Sequence, residues 1–292
     1  MVFYFLKHVF GKIKNLVLKI YDKCSSSSLG GAELISENRQ SIVYRYKGSV
    51  YKFLKTIVKT GDELKINELR INEMIRNSGK NISKLDRLLF YEKWWRKKNS
   101  GVIIKMENGI TELFSFVEKK KILSDGKLVY IAREMIIGIL QLHSLGIVHF
   151  DVSLENFILM KDGKIKLCDF GLSYLVDELS GCYLTAPKQN YSPPELNESE
   201  PIEDPLKIDV YAFGMCLFYL LTGVEYTVGI RQYHMKYGID KFVRDLKCDE
   251  SFFISKKLSF IIDNCMSSDP VKRLYPYQIL KFIDDNSIIE SL

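Results

Sequence analysis

The chain of 292 residues has little of what marks several common classes of protein. Only 7 residues are proline and 27% are charged, so the composition is that of a globular protein and not of a disordered one. The six cysteines form no CxxC pair and have no His cluster beside them, which argues against a zinc site and predicts reduced, unpaired thiols. Such thiols are typical of an intracellular, cytoplasmic protein.

Long apolar runs are also missing. None approaches the roughly 18 consecutive apolar residues that cross a bilayer, so no membrane-spanning helix is predicted. Lys7, His8, Lys12 and Lys14 interrupt the apolar residues near the start, and no cleavage site follows them. We therefore expect no signal peptide. The net charge of +6 suits an anionic ligand or a membrane surface, but such a charge is common in proteins with neither, and a solvated lysine-rich surface is the favoured explanation.

Residues 1–23 have the pattern of a basic amphipathic helix. Apolar residues recur there every three or four positions, at Val2, Leu6, Val9, Ile13, Leu16 and Ile20. Residues 24–31 (CSSSSLGG) are predicted to form a flexible hinge. Three interpretations of the helix stay open: its apolar face packs on the rest of the chain, makes a peripheral contact with an anionic membrane, or binds a protein partner.

After the hinge, the pattern divides the chain into two halves of different character. Residues 32–108 are rich in short strands, including a hairpin with a Lys-Gly turn in SIVYRYKGSVYKFLK, and contain one main helix over 62–78. Two further strands are predicted in RLLFYEKWW (residues 87–95) and GVIIKME (residues 101–107). Residues 109–292 are mostly helical, with one short hairpin around Lys161-Asp162-Gly163. An α+β fold is therefore predicted.

The residues that point to chemistry occur in a fixed order along the chain. They are Lys52 in SVYK, Glu68 on the following helix, Asp151 and Asn156 in HFDVSLEN, Asp169 in CDFG, Glu195 in SPPE, Asp209 in IDVYAFG and Arg273 in DPVKR. In this order and spacing, the chain resembles the eukaryotic protein kinase family from about residue 33 to residue 285. The resemblance implies a bilobal fold, with a small β-rich lobe at 32–108 and a larger helical lobe at 109–292.

The resemblance also implies a role for each residue in phosphoryl transfer from ATP. Asp151 would accept the proton of the acceptor hydroxyl, Lys52 would hold the α- and β-phosphates, and Glu68 would hold Lys52. Asn156 and Asp169 would bind Mg²⁺, with Mn²⁺ as an alternative ion. From the residues alone, Lys55 competes with Lys52 for its role and Glu73 competes with Glu68.

Two further sets of residues follow from the resemblance. Contacts with the nucleotide are expected at Ser36, Asn38, Ser41, Val43, Lys52, Met106 and Glu107. Structural roles are expected for His149, Phe170, Gly171, Glu195, Asp209 and Arg273. Among these, Glu195 and Arg273 would form a buried pair, and Asp209 would accept backbone N–H bonds from the loop that carries Asp151.

Three departures from the family pattern affect the expected function. Ser36, Asn38 and Ser41 stand where glycines normally let the backbone approach the phosphates. Phe150 replaces the Arg that normally receives a phosphate from the activation segment, so we expect activity that does not depend on phosphorylation of that segment. Ser153 replaces a Lys that contacts the γ-phosphate, which removes one cation from the transition state.

The expected function is that of a protein serine/threonine kinase with protein substrates and no nucleic-acid partner. Serine and threonine are favoured over tyrosine because the loop after Asp151 carries no Arg-containing pattern of the tyrosine kinase type. The alternative is a pseudokinase that acts as a protein-binding scaffold, which the missing glycines and Ser153 favour. The expected location is cytoplasmic, with peripheral membrane association through residues 1–23 as a further expectation.

Overall fold

The computed structural model describes residues 32–37, 41–54, 67–79, 82–97, 101–119, 123–182, 192–197, 201–247 and 255–285. The predicted amphipathic helix and hinge, Asn38 and Lys55 lie outside the described residues. Contacts between Cα atoms divide the chain into two compact units. The first contains the described residues up to 54 together with Tyr91–Asn108, and the second contains the described residues from 67 to 90 and from 109 onwards.

The first unit is one antiparallel sheet. Its strands are β1 (Glu33–Glu37), β2 (Ser41–Tyr46), β3 (Ser49–Leu54), β4 (Lys93–Lys97) and β5 (Gly101–Glu107), in the order β1-β2-β3-β5-β4. The predicted hairpin is present, because Lys47 (φ 48°) and Gly48 (φ 76°) both adopt the left-handed conformation that a tight two-residue turn needs. One face of the sheet carries a small apolar cluster of Ile42, Tyr51, Phe53 and Ile103.

The predicted strand at 87–95 is wrong over residues 87–92, because the strand begins only at Lys93. Leu85 and Leu88 are instead buried in the core of the second unit, where Leu88 forms an isolated bridge with Leu167. Burial in that core takes precedence over the local strand propensity of this apolar run.

The second unit is mainly helical. Its helices are α1 (Asn67–Asn77), α2 (Leu113–Lys119), α3 (Asp125–His143), α4 (Val176–Leu179), α5 (Leu206–Thr222), α6 (Val228–Lys247), α7 (Lys256–Cys265) and α8 (Pro276–Asp284). Its short strands are β6 (Thr111–Glu112), β7 (Ile147–Val148), β8 (Phe157–Leu159), β9 (Ile165–Leu167) and β10 (Tyr174–Leu175). Strands β6, β8 and β9 form one small sheet, while β7 pairs with β10 in another.

Helix α5 is the central element of the second unit. It is buried on almost every side, as expected for a helix with apolar residues all round, and it ends at Gly223 in the left-handed conformation that favours glycine. Helix α6 is broken at Gly238, where φ is 77°. Helix α1 packs on the turn Phe170–Leu172, which brings Glu68 to the segment that contains Asp169.

Candidate active site

The loop that carries Asp151 is fixed to α5 through Asp209. This carboxylate is fully buried, and its Oδ2 accepts hydrogen bonds from the backbone N–H of His149 (2.7 Å) and from His143 Nε2 (2.8 Å). Its Oδ1 accepts a third bond from the backbone N–H of Phe150 (2.9 Å). Two of these donors belong to the loop and the third to α3, so the carboxylate holds the start of the loop in a single position, because each donor would otherwise be buried without a partner.

His149 links the same loop to the strand before Asp169. Its Nε2–H donates to the carbonyl oxygen of Cys168 (2.9 Å), and its Nδ1 accepts from the backbone N–H of Asp151 (3.3 Å). Its ring also meets the ring of Phe170 edge to face, with 5.7 Å between the centroids. His149 therefore ties together the two segments that carry the proposed catalytic and metal-binding side chains.

Two residues in these segments have unusual backbone conformations. Phe150 (φ 65°) and Asp169 (φ 64°) are in the left-handed region, which side chains other than glycine rarely adopt. The bonds to Asp209 hold the backbone of Phe150 in this conformation. Strained backbone of this kind persists where surrounding contacts fix it, and it is concentrated at functional sites.

Asp151 and Asn156 lie side by side in the loop. The amide nitrogen of Asn156 donates to the backbone oxygen of Asp151 (2.7 Å) and to its carboxylate Oδ2 (3.1 Å). Because both bonds use the nitrogen, the carboxamide oxygen of Asn156 is the atom that can bind a metal ion. The backbone oxygen of Asn156 accepts from the N–H of Cys168 (2.9 Å), so Asn156 is held next to the strand before Asp169.

The Asp169 segment approaches Glu68 closely. A Cβ atom at Gly171 would lie 3.3 Å from Asp169 Oδ1 and 4.0 Å from Glu68 Oε2, so a glycine leaves room for both carboxylates. Glu68 is 6% exposed on α1. Asn72, one turn later, is also buried, and its amide donates to the carbonyl oxygen of Glu68 (2.7 Å).

Phe150 makes apolar contacts where the family has an arginine. It packs against a cluster of Leu196, Ile202 and Ile208. Its ring also meets that of Tyr174 on β10 edge to face, with centroids 6.0 Å apart. The loop is thus attached to the segment after Asp169 by aromatic and aliphatic contacts.

Ser153 lies in a small pocket beside Asp151, which Glu155, Ser192 and Pro193 also line. Its side chain is buried, and within the described part of the chain its Oγ has no hydrogen-bond partner. A buried hydroxyl without a partner is unfavourable and calls for an explanation.

Glu195 and Arg273 form a two-bonded ion pair. Arg273 Nη1 lies 2.5 Å from Glu195 Oε1, and Nη2 lies 2.7 Å from Oε2. The Arg273 side chain has no exposed surface, and its remaining bonds go to the backbone oxygens of Ser267 (2.9 Å) and Lys207 (3.1 Å). The pair fixes the turn Pro194–Asn197 to the helical unit.

In the sheet, five of the predicted nucleotide-contacting residues share one face. The strand register sets Val43 opposite both Ser36 and Lys52, and Lys52 opposite Ile104. Ser41 and Met106 lie two positions further along the same strands, on this same face. Glu107 is on the opposite face, with the apolar cluster. Lys52 is 7% exposed.

The side chains that the resemblance assigned to the metal fit a hard cation. Asp169 offers a carboxylate and Asn156 a carboxamide oxygen, which are ligands that Mg²⁺ prefers. Among the residues that the structure describes, no group of three or more His, Cys, Asp or Glu side chains is arranged to hold a metal. A site built from one Asp and one Asn matches metal ions that also bind the phosphates of a nucleotide.

Several side chains that contact the candidate site were not predicted from the sequence. A hydrogen-bonded cluster beside the Asp169 segment consists of Asn67 and Arg70 on α1 and Glu178 on α4. In addition, His143 donates a hydrogen bond to the Asp209 carboxylate. The spacing of Asn67 and Arg70, three residues apart beside Glu68, was a usable signal. Nothing in the local sequence of Glu178 indicates that it contacts α1.

The chain belongs to the protein kinase family, because residues 45–282 match the model of the protein kinase domain. The α+β bilobal fold that the resemblance implied is thereby confirmed. Members of this family use ATP with a divalent metal ion and act on proteins. The described part of the chain has no helix long and apolar enough to cross a membrane.

Many curated proteins are similar to this chain. Serine/threonine-protein kinase GIN4 of Saccharomyces cerevisiae is 29% identical over 199 residues, which are 66% of this chain and 17% of that protein. Serine/threonine-protein kinase dst2 of Dictyostelium discoideum is 29% identical over 202 residues, which are also 66% of this chain and 17% of that protein. Calcium/calmodulin-dependent protein kinase type II of Caenorhabditis elegans is 28% identical over 173 residues, which are 58% and 24%. The match thus spans less than a quarter of the length of each of these relatives.

Proposed function

We propose that the chain transfers the γ-phosphoryl group of ATP to serine and threonine hydroxyls of proteins. The observation that carries this proposal is the Asp151–Asn156 pair, hydrogen-bonded within a loop that Asp209 and His149 hold beside the Asp169 segment. This loop presents a carboxylate base next to two side chains with metal-binding oxygens. The names of two of the relatives support serine and threonine as acceptors.

Each residue has a defined part in the proposed reaction. Asp151 orients the acceptor hydroxyl and takes its proton. Asn156 and Asp169 would hold the metal ion, which would supply positive charge to the transferring phosphoryl group. Lys52 holds the α- and β-phosphates, and Glu68 orients Lys52. Catalysis by this set consists of positioning and electrostatic stabilisation.

The acceptor is proposed to enter the pocket beside Asp151. The buried Oγ of Ser153 then gains a hydrogen-bond partner from the acceptor, which accounts for its lack of one within the described part of the chain. Because a hydroxyl replaces a cation, we expect a slower transfer step than in a kinase with Lys at this position. The presence of Ser153 in place of Lys leaves the proposed base, Asp151, and the two proposed metal ligands, Asn156 and Asp169, unchanged.

The test is transfer of labelled γ-phosphate from ATP to generic protein acceptors, with Mg²⁺ and with Mn²⁺. Wild type runs beside Asp169→Ala and beside Asp162→Ala, a matched control in the exposed turn between β8 and β9. We expect transfer by wild type and by the control, and a loss of at least about a hundredfold in Asp169→Ala. Equal rates in all three proteins would contradict the assignment of Asp169.

We also propose that activity does not require phosphorylation of the segment after Asp169. The packing of Phe150 on Leu196, Ile202, Ile208 and Tyr174 supports this, because these apolar contacts need no charge to attach the loop. The test compares wild type before and after phosphatase treatment, with the phosphate content checked by intact mass. Equal rates are expected, and a rate that disappears with the phosphate would contradict the proposal.

The alternative function is a pseudokinase scaffold. Ser36 and Ser41 at the β1–β2 hairpin, in place of glycines, and Ser153 favour it. The two functions differ in nucleotide binding and turnover, so a thermal-shift titration with ATP and either metal ion separates them cheaply. No transfer together with no shift would favour the scaffold.

The proposed partners are protein substrates in the cytoplasm, and the sequence of residues 1–23 alone motivates a peripheral membrane contact. Flotation of the full chain with anionic vesicles tests the contact. The double variant Lys12→Glu, Lys14→Glu should no longer float if the basic face binds the membrane. Wild type that does not float would contradict the membrane contact.

A further inference from the structure

Helix α1 brings Glu68 next to another carboxylate. The oxygens of Glu68 and Asp169 both approach the Cβ position of Gly171, at 4.0 and 3.3 Å. Both positions depend on contacts that hold α1 against the turn Phe170–Leu172, on which it packs. The side chains that flank Glu68 on the same helix provide them.

Asn67 connects the start of α1 to the backbone after Asp169. Its amide nitrogen donates to the carbonyl oxygens of Gly171 (3.0 Å) and Ser173 (2.7 Å), so both of its N–H groups are used. Its side-chain oxygen accepts from Arg70 Nε (3.0 Å) and Nη2 (2.8 Å). Arg70 therefore fixes the orientation of the Asn67 amide.

Arg70 makes a second connection, to α4. Its Nη1 lies 2.5 Å from Glu178 Oε1, and its Nη2 lies 3.0 Å from Oε2, a two-bonded ion pair. Glu178 Oε2 also accepts from the backbone N–H of Leu175 (2.9 Å), so the same carboxylate caps the first turn of α4. Hydrogen bonding from Arg70 holds the pKa of Glu178 below its usual value.

We propose that Asn67, Arg70 and Glu178, named here the α1 latch, are positioning residues that hold Glu68 and the Asp169–Ser173 segment in the arrangement needed for phosphoryl transfer. The inference rests on the proposed kinase function. The Glu178 carboxylate already bonds both Nη atoms of Arg70, so the three residues of the α1 latch form these contacts without an added phosphate. Only a planar guanidinium bonds the Asn67 oxygen and both oxygens of Glu178 at once.

The experiment compares Arg70→Lys and Asn67→Asp with wild type. Arg70→Lys keeps the charge and loses the fork, whereas Asn67→Asp has nearly the same shape but turns an oxygen towards the carbonyls of Gly171 and Ser173. Arg133→Lys is the matched control, because Arg133 forms a similar two-bonded pair with Asp284 (2.7 and 3.2 Å) and is 40% exposed against 32% for Arg70.

We expect kcat to fall about tenfold or more in both latch variants, since small displacements of reacting groups have effects of that size. The KM for the acceptor should stay within about twofold, because none of the three latch residues lines the pocket beside Asp151. Arg133→Lys should keep both values. A kcat within about twofold of wild type in both latch variants would overturn the proposal.

Amide hydrogen exchange provides a readout that does not depend on activity. In both latch variants, exchange should rise in α1 and in residues 170–179 together, while α5 and α7 keep wild-type protection. Unchanged exchange in those two segments would refute the latch even if activity fell. Conversely, wild type that transfers no phosphate would refute the kinase assignment, and the exchange result would still decide whether the latch holds the two segments together.

Discussion

Replacement of Arg273 by methionine should destabilise the helical unit strongly. The substitution keeps much of the aliphatic volume but removes four hydrogen bonds of a side chain without exposed surface. It leaves the Glu195 carboxylate, which is 14% exposed, without its cation. Removal of one partner from a buried ion pair lowers the free energy of unfolding by about 3–5 kcal/mol.

The matched control for this prediction is Arg133→Met. Arg133 and Asp284 also form two bonds, but their side chains are 40% and 45% exposed. Exposed pairs of this kind contribute about 0–1 kcal/mol, because solvent screens them and ordering the side chains opposes them. The two substitutions are chemically identical, so the expected difference comes from the burial of Arg273 and from its two further bonds to backbone oxygens.

Urea unfolding followed by circular dichroism at the helical band measures both values, since the α-helices that the structure describes lie in the second unit. The double variant Glu195→Leu, Arg273→Met should be more stable than Arg273→Met, because it no longer buries an unpaired carboxylate. An Arg273→Met variant that loses less than about 1 kcal/mol would refute the reasoning, as would a double variant less stable than the single one.

Three further predictions concern the active-site region. Ser153→Ala should raise the free energy of unfolding by about 1 kcal/mol, because a buried hydroxyl without a partner is removed, and should raise the KM for the acceptor. Asp209→Ala should lower the free energy of unfolding by about 3 kcal/mol or more, because three buried donors lose their acceptor; urea unfolding measures both changes. Because Arg70 holds the pKa of Glu178 below 4.5, the pair stabilises the fold above that pH and its contribution disappears as the pH falls through the lowered pKa. The difference in the free energy of unfolding between wild type and Glu178→Gln should therefore become smaller as the pH is lowered through the acid range.

The sequence predicted elements well where local chemistry and packing agree. Lys47-Gly48 sits at a turn that requires two left-handed residues, and the strands on both sides alternate, so β2 and β3 could be predicted from sequence. Helix α5 was equally clear, because its apolar run is long enough to be a buried helix. The start of β4 could not be predicted from sequence, because Leu88 pairs with Leu167, a partner 79 positions away that no local pattern indicates.

The same distinction applies to the site. Asp151, Asn156 and Asp169 could be singled out from the sequence because the family motif fixes their spacing. Glu178 was missed because its contact with Arg70 joins residues 108 positions apart, between segments that have no motif. Phe150 was recognised as a departure, but its apolar neighbours Leu196, Ile202 and Ile208 are brought together only by the fold.

The most direct test of the proposed kinase activity is phosphoryl transfer by wild type that has been freed of phosphate. The protein is treated with phosphatase, its mass is checked, and transfer from ATP with Mg²⁺ to a protein acceptor is followed beside Asp169→Ala, with the modified amino acid identified by mass spectrometry. We expect phosphoserine or phosphothreonine to be formed by wild type alone. Phosphate-free wild type that is no more active than Asp169→Ala would contradict the proposed kinase activity.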